Sequence, residues 1–430
     1  MLSLIELAKE GKLEKTSAKP KLPIKVDGVS SETLDVYKIP LEYVYYNDKN
    51  GRIATGISQY QDELHPANDQ EDPQYNNFVA KLIEQDNSSA LKRTEKSIQN
   101  SGQQVCGCVL DDGRIVDGNR RFTALREIHQ LTGKTFYFEA VILPFSYNNS
   151  MERVKIKKLE LAIQMGVEAR QDYDPVDLAV DIYQTTSGDD PIMTQADYAA
   201  DSHMRPTEVK KYYDGAVYMK KFLEFIGAPE NNFNIIKESK VWSLFYEMGK
   251  SLSKNFGDDP ESQVRKNETM NSYFGVILYQ IHVGVSGNTA RTHIREYDKN
   301  IVNSVDNEDF NDDVADMVDD LSESLQDEEI HTTSDLMQSL TDENETVEDL
   351  GDTFDTYMRN ARNSESVDKF IRNIKQNVKY YHDLNEDGGL IGSLRYNEVS
   401  EDQLKELQKY MRDLNQLSKE LFSKYGDEIR

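Results

Sequence analysis

The sequence predicts an α+β protein: a small mixed sheet before residue 150, followed by a mainly α-helical remainder that contains a helix-turn-helix. Three observations predict it. Residues 105–110 and 114–117 are apolar runs flanking Asp111-Asp112-Gly113, and an Asp-Gly pair between apolar runs is the strongest short-range hairpin signal. Residues 136–143, FYFEAVIL, form the nearly continuous apolar run expected of a central strand covered on both faces. From Ser150 onward apolar residues recur every three or four positions, the period of helices packed on one side.

At 430 residues the chain is long enough for two or three domains and a substantial core. No apolar run approaches the length of a bilayer crossing, and the N-terminus MLSLIELAKEGKLEK is charged where a signal peptide is apolar. The expectation is a cytoplasmic protein without membrane contact. Cys106 and Cys108 fall on one face of one predicted strand, with neither His nor further Cys beside them, which predicts core packing and no metal site. The net charge of −27 argues against nucleic acid until it is located: residues 296–355 hold 22 Asp and Glu against one Lys, so −21 of the −27 resides there. The chain outside that segment is nearly balanced.

Taken in order, residues 2–13 can form one short amphipathic helix, and 16–31, with their Lys, Pro and Gly, read as a tether, so 1–31 precede the first domain. That domain spans 32–149 and is interrupted by an insertion at 53–86, whose Pro66, Pro73 and many Asp, Asn and Gln predict a long loop with a helix near 75–84. After the hairpin comes Asp117-Gly118-Asn119-Arg120-Arg121-Phe122, and then Phe122, Leu125, Arg126, Ile128 and His129 fall at helical spacing. A strand therefore ends in a glycine turn that opens a helix. The free amides and positive dipole end of a helix's first turn attract an anion, glycine lets backbone approach it, and arginines add forked donors. The natural guest is a phosphate. From the residues alone a second reading stays open, a surface helix start whose arginines pair with local acids.

Upstream, residues 37–47 read YKIPLEYVYYN and run on to Asn50-Gly51-Arg52, and 91–105 read LKRTEKSIQNSGQQV. Together with DGNRRFTALREI, this order resembles the N-terminal domain of the ParB/sulfiredoxin superfamily, over roughly 36–143. There an Ile-Pro-rich strand leads to an Asn-x-Arg element, a helix with Ser-Ile-x-x-x-Gly precedes the hairpin, and a Gly-x-Arg-Arg box binds nucleotide phosphates. The resemblance implies CTP or ATP, with or without Mg2+, held by Arg52, Gln104, Asp117, Gly118, Asn119, Arg120 and Arg121. Two departures matter. Asn119 stands where partition proteins have Glu, superfamily kinases His and sulfiredoxins their catalytic Cys, and without a thiolate sulfinic-acid repair is ruled out. The Glu-Asn-x-Gln box of the partition members falls on Gly166-Val167-Glu168-Ala169-Arg170, its Asn and Gln replaced, so binding is implied and hydrolysis is not.

The helical domain is expected over 150–295. Tyr173-Asp174-Pro175-Val176-Asp177-Leu178-Ala179 keeps the family's next helix start, with Asp174 as N-cap and Pro175 as first helical residue. In residues 194–213, Thr194 caps a short helix, Ala199 is the small residue at a helix crossing, His203 takes the turn position, and Pro206 and Thr207 open a second helix with Val209 and Tyr213 inward. That spacing resembles the helix-turn-helix that follows the nucleotide domain in ParB proteins. Arg205, Lys210, Lys211, Lys220 and Lys221 make a basic island with only Glu208 and Asp214 opposed. Arg205, Lys210 and Lys211 suit DNA phosphates, and Thr207 and Glu208 base edges; an ordinary helical packing unit with solvated lysines is the alternative. Farther on, Trp242 reads as a core residue among Val241, Leu244, Phe245 and Met248.

In the acidic segment 296–355, Phe310, Val314, Met317, Val318, Leu321 and Leu325 recur at helical spacing, while carboxylate repulsion predicts partial disorder. Three uses are open: a solvated linker, an internal cover competing with DNA for Lys210 and Lys211, and a dock for a basic protein partner. Residues 356–430 carry two apolar stripes, through Ile371, Ile374 and Val378 and through Leu407, Met411 and Leu414, which predict a helical hairpin that either forms a homodimer or docks on the helical middle.

The expected function is a nucleoid-associated, nucleotide-gated DNA-binding protein of the ParB type, in plasmid or phage segregation or in a mobile-element or defence system. One alternative is a ParB-fold nucleoside triphosphatase or nuclease acting in phage defence, with Asp117, Glu168 and Asp172 as catalytic candidates. Another is an acidic scaffold that occupies a second protein's DNA site.

Overall fold

The computed structural model describes residues 2–29, 33–60, 64–166, 174–364, 367–385 and 400–425. Five strands, β1 (Glu14–Lys15), β2 (Val36–Pro40), β3 (Gly107–Leu110), β4 (Ile115–Asp117) and β5 (Tyr137–Leu143), form one mixed sheet in the order β1-β2-β5-β3-β4. The 136–143 run thus lies at the centre, antiparallel to β2 and parallel to β3. β3 and β4 are the arms of the expected hairpin. Its Gly113 turns at φ +93°, and a Cβ there would sit 2.0 Å from the Tyr43 carbonyl oxygen, so the glycine also lets the 3₁₀ turn Leu41–Tyr43 approach.

Both faces of the sheet are covered. One buries Ile39, Val109, Ile115, Phe138 and Ala140 beneath α3 (Pro73–Asp86), α4 (Ser88–Ser101) and α5 (Asn119–Thr132). The other buries Val36, Cys108, Leu110, Val141 and Leu143 against α6 (Ser150–Gly166). Cys108 is core, as its position predicts; Cys106 lies just outside the strand and packs half-buried against the same cluster. The expectation of an N-terminal tether is corrected: Leu4 and Leu13 are buried, Glu14–Lys15 pair with β2, and Leu22, Ile24 and Val26 pack on the second face. Their alternate spacing is that of an extended segment laid on a sheet. The insertion holds α2 (Ala54–Ser58) and α3, which takes in the helix expected near 75–84, begins with Pro73 and is capped by Asp72. Arg126 of α5 bonds Asp69 (2.5 Å) and Asn77 (2.7 Å), fastening the insertion to the helix that starts at Asn119.

The remainder is helical. α7 (Pro175–Thr186), α8 (Gln195–Ser202), α9 (Pro206–Phe225), α10 (Asn234–Ser239), α11 (Trp242–Asn255), α12 (Pro260–His282) and α13 (Gly287–Tyr297) follow, and most of them supply the largest core. Trp242, expected inside that core, is half-buried against it.

The acidic segment is not disordered. It forms α14 (Asn307–Gln326), α15 (Thr333–Asp342) and α16 (Asn344–Ser364), and Phe310, Val314, Val318, Leu321 and Leu325 of α14 are all within 2 % of full burial. Burying five such side chains contributes roughly 8–15 kcal/mol, against a few tenths for each like-charge pair on a helix surface, so apolar contact overcomes repulsion. The carboxylates of α14, among them Asp309, Asp312, Asp316 and Asp320, face solvent. Nor does the segment cover the basic island: Lys210 pairs with Asp214 on its own helix and Lys211 lies over the Tyr246 ring.

The chain divides into two compact units, Met1–Met358 and Arg359–Arg430. In the second, α17 (Val367–Asn385) and α18 (Glu401–Tyr425) keep their stripes exposed, with Ile374 and Val378 at 46 % and 61 % and Met411 and Leu421 at 50 % and 54 %. No helix among the described residues is long and apolar enough to cross a membrane.

Candidate functional site

Gly118 closes β4 and caps α5 at φ +110°, and a Cβ there would lie 2.8 Å from the Phe138 ring, so only glycine fits both the turn and the space. The turn aims the first residues of α5 into a cavity of about 390 Å³. Arg52, Gln104, Asp117, Gly118, Asn119, Arg120 and Arg121 all line it, so every residue assigned to the nucleotide from sequence is brought to one place. The Oδ1 of Asn119 is buried there without a hydrogen-bond partner among the described residues.

The two arginines are not equivalent. Arg121 donates to the carbonyls of Val105 (2.7 Å) and Cys106 (2.8 Å) and to Asp117 Oδ2 (2.6 Å), which clamps the approach to β3 onto the start of α5. Its fork is therefore engaged by the protein, and Asp117, offered above as a catalytic acid or base, is its counter-ion. Arg120 lies on the cavity wall within the field of Asp86. Burial pushes the Asp86 carboxyl up, against the opposing pull of Lys237, Arg120 and Arg52. Glu168 and Asp172, the other catalytic candidates, lie outside the described residues, as do Val167, Ala169, Arg170 and Tyr173 of the two motifs.

Sequence reasoning missed Arg93, Thr94 and Ser97, which α4 presents to the same cavity, together with Asn50 and Gln164. A signal existed: Arg93 and Ser97 are four apart, one turn on one face, beside the buried Ile98. Gln103 is a positioning residue, since its side chain donates to the Glu139 carbonyl (2.7 Å) and accepts from the Glu139 amide (3.0 Å), pinning the end of α4 to β5.

Comparison with family models, with curated proteins and with solved structures finds no match to this chain. What the site can do must therefore be read from its geometry.

Arg52 sits in a 3₁₀ turn, Gly51–Ile53, and its own amide donates to the capping Asn50 side chain (3.2 Å). Residues on both sides of it are held by α7. A Cβ on Gly51 would lie 2.7 Å from Asp181 Cγ, and Thr55 donates through its amide (3.0 Å) and hydroxyl (2.6 Å) to Asp177 Oδ1. Asp177 is fully buried and also accepts from Lys237 (2.6 Å), which reaches Asp86 on the cavity wall at 3.9 Å. Asp181 accepts from Lys157 (2.7 Å) and from the Tyr198 hydroxyl (2.7 Å), and Glu160 lies 3.6 Å from Lys157. Tyr198 belongs to α8. Two buried polar clusters thus sit one turn apart on α7, one at Asp177 tied to the cavity wall and one at Asp181 tied to Tyr198 of α8.

The local features expected over 194–213 are present in α8 and α9, except that Tyr213 is half-buried rather than inward. Thr194 caps α8 by accepting from the Asp197 amide (3.1 Å), His203 turns in left-handed geometry at φ +56°, Pro206 opens α9, and Ala199 and Val209 are buried together. Ser202, in place of an apolar residue, is buried and donates to the Tyr198 carbonyl (2.6 Å). Arg205, Thr207, Lys210 and Lys211 are exposed and Glu208 is half-buried, all at the start of α9. Among the described residues no group of three His, Cys, Asp or Glu side chains converges to hold a metal ion.

Proposed function

We propose that this chain is a nucleotide-gated DNA-binding protein with a ParB/sulfiredoxin-type N-terminal domain. The observation that carries the reading is the open cavity over Gly118, where the first turn of α5 meets Arg52, Arg93 and Arg120 and one wall is tied to α7. These residues fit a triphosphate: three guanidiniums offer forked donors to phosphate oxygens, and the helix start adds amides and a positive dipole end. The volume suits a nucleotide. CTP or ATP is the expected ligand, with phosphates over Gly118 and Asn119. Asn119 presents an amide rather than a carboxylate and Asp117 is held by Arg121, so these residues are assigned to binding and orientation.

Coupling follows from the two clusters on α7. A ligand drawing Arg52 and Arg120 toward its phosphates moves the turn that Asp177 and Asp181 hold, and α7 carries that displacement to Tyr198 on α8. DNA affinity at Arg205, Thr207, Glu208, Lys210 and Lys211 then depends on the nucleotide, and by linkage the nucleotide's affinity depends on DNA to the same degree. The exposed stripes of α17 and α18 give a second copy an apolar seam, so the working unit is a homodimer. The test is a titration of labelled CTP, ATP and GTP into wild type and Arg120→Ala, with and without duplex DNA. Saturable binding of one nucleotide that Arg120→Ala weakens and DNA modulates supports the reading; absence of binding by all three ends it.

A further inference from the structure

A second cavity, of about 490 Å³, opens between the start of α9, the α10–α11 junction and the start of α13. Its lining is unlike a core. Tyr212 and Trp242 are stacked at 5.0 Å with 4° between their planes, and Tyr246 lies 6.1 Å beyond Trp242 at 24°, so three half-buried rings form one stepped wall. Packing alone does not require rings so near parallel at a surface, whereas a stepped aromatic wall is what a planar base recognises.

The charges around that wall divide into two groups. Arg291 is held by Glu247 (2.6 and 2.8 Å), and Lys237 by Asp177. Lys211 and Lys240 are exposed and, among the described residues, have no carboxylate partner; Lys211 lies 4.6 Å from the Tyr246 ring centre. Two acids share the lining, Asp174, whose side chain caps α7, and Glu208, and among the described residues neither forms an ion pair with Lys211 or Lys240. Lys240 adopts left-handed geometry at φ +57°, uncommon outside glycine and asparagine, and its carbonyl accepts the Gly287 amide (3.2 Å), which fixes the start of α13 at the cavity edge. An aromatic wall, two ammonium groups outside any ion pair among the described residues, and a helix start meet in one space.

We propose that this cavity binds a nucleoside 5′-phosphate, base against the Trp242–Tyr246 wall and phosphate between Lys211 and Lys240. The same chemistry is offered by a free mononucleotide and by an unpaired nucleotide of a DNA strand held at α9. The site is lined by other residues than the cavity over Gly118, and it is inferred from its own lining, whether or not that cavity binds a nucleotide.

Trp242 is the chain's single tryptophan, so its fluorescence reports on this cavity. The experiment uses the full chain carrying Arg120→Ala, which weakens the other site, titrated with dAMP, dCMP, inorganic phosphate and 5′-phosphorylated oligothymidylate. The expected result is saturable quenching by mononucleotides, by the strand, or by both, with Kd raised about tenfold or more by Lys240→Asn and by Lys211→Ala. Asparagine at 240 removes the charge and tolerates the left-handed backbone, so a folded variant is retained. Quenching by dAMP or dCMP identifies a free nucleotide; quenching by the strand alone identifies an unpaired base of DNA. The proposal is overturned if neither quenches, if phosphate alone reproduces the effect, or if both lysine variants titrate as the parent does.

Discussion

Adjacent arginines that look interchangeable in DGNRR are given different work by the fold, and substituting each to alanine separates them. Arg121→Ala removes donors to the Val105 and Cys106 carbonyls and to Asp117, at 2.7, 2.8 and 2.6 Å. The pair is only partly exposed, with side-chain accessibilities of 19 % and 28 %, and the freed carbonyls can turn to water. Each bond therefore contributes about 1 kcal/mol rather than the upper range for charged donors, and the variant loses about 2–3 kcal/mol. For a unit of this size that is a fall in Tm of roughly 5 °C. Arg120→Ala removes a guanidinium from the cavity wall, where one charge-assisted contact to phosphate is worth about 1.5–3 kcal/mol, or roughly a 10- to 100-fold rise in nucleotide Kd. Calorimetric titration with CTP and ATP and a thermal melt of each variant make both comparisons. The reasoning is refuted if Arg120→Ala binds as wild type does, or if Arg121→Ala melts unchanged.

Lys157→Met strips the buried counter-ion from Asp181 and Glu160 and should cost about 3–5 kcal/mol in urea unfolding; a loss under about 1 kcal/mol would mean the network is hydrated. Burial and the Asp181 charge, opposed by Lys157, push Glu160 up to about 7 from its ordinary 4.5. The folded state then holds a proton that the unfolded chain has released, so this contribution is full below about pH 4.5 and is lost as pH rises through about 7. Melts of wild type and Glu160→Gln across that range should differ in slope, the variant being flatter; parallel profiles would remove Glu160 from the account. Thr55→Val deletes one donor to Asp177 and should leave nucleotide binding in place while shrinking the nucleotide's effect on DNA affinity, read by anisotropy. An unchanged effect would show that the signal takes another route. Ile374→Asp with Leu414→Asp should convert a dimer to monomer in sedimentation, and an unaltered mass would place the interface elsewhere.

Much of the first domain was legible because its signals are local. The Asp-Gly turn, the 136–143 strand and the glycine that opens α5 each follow from backbone geometry within a few residues, and the caps at Thr194 and Asp174 do so as well. Long-range facts were not legible. The N-terminal segment looked like a tether because Leu22, Ile24 and Val26 acquire meaning only once a sheet face is there to receive them. The acidic segment looked unstable because its charge is visible in the sequence and the core beneath Phe310 and Val314 is not. The division of labour between Arg120 and Arg121 depends on where the Val105 and Cys106 carbonyls lie, and no spacing rule locates a carbonyl from another element. Trp242 read as core because its neighbours in sequence are core; its rotation about α11, one step from Val241, sets it on the cavity wall instead.

The two buried clusters on α7 bear on how the proposed sites could be coupled. Replacing a buried ion pair by apolar side chains of equal volume is often neutral or stabilising by about 1–4 kcal/mol, so Lys157, Asp181, Glu160 and Asp177 are poor choices if stability were their only role. Their directional bonds do something apolar contacts cannot. Thr55 must present both amide and hydroxyl to one carboxylate oxygen while Lys237 meets the other, and Asp181 divides its two oxygens between Lys157 and Tyr198. Sliding α7 against the Arg52 turn by an ångström would break both Thr55 bonds to Asp177 at once, whereas an apolar seam would yield gradually. A joint of that kind favours discrete placements over a continuum, and Lys237, which binds Asp177 while lining the second cavity, gives a ligand there a hold on the same joint. Occupancy of either cavity would then bias one shared element, which is the physical condition for coupling between sites.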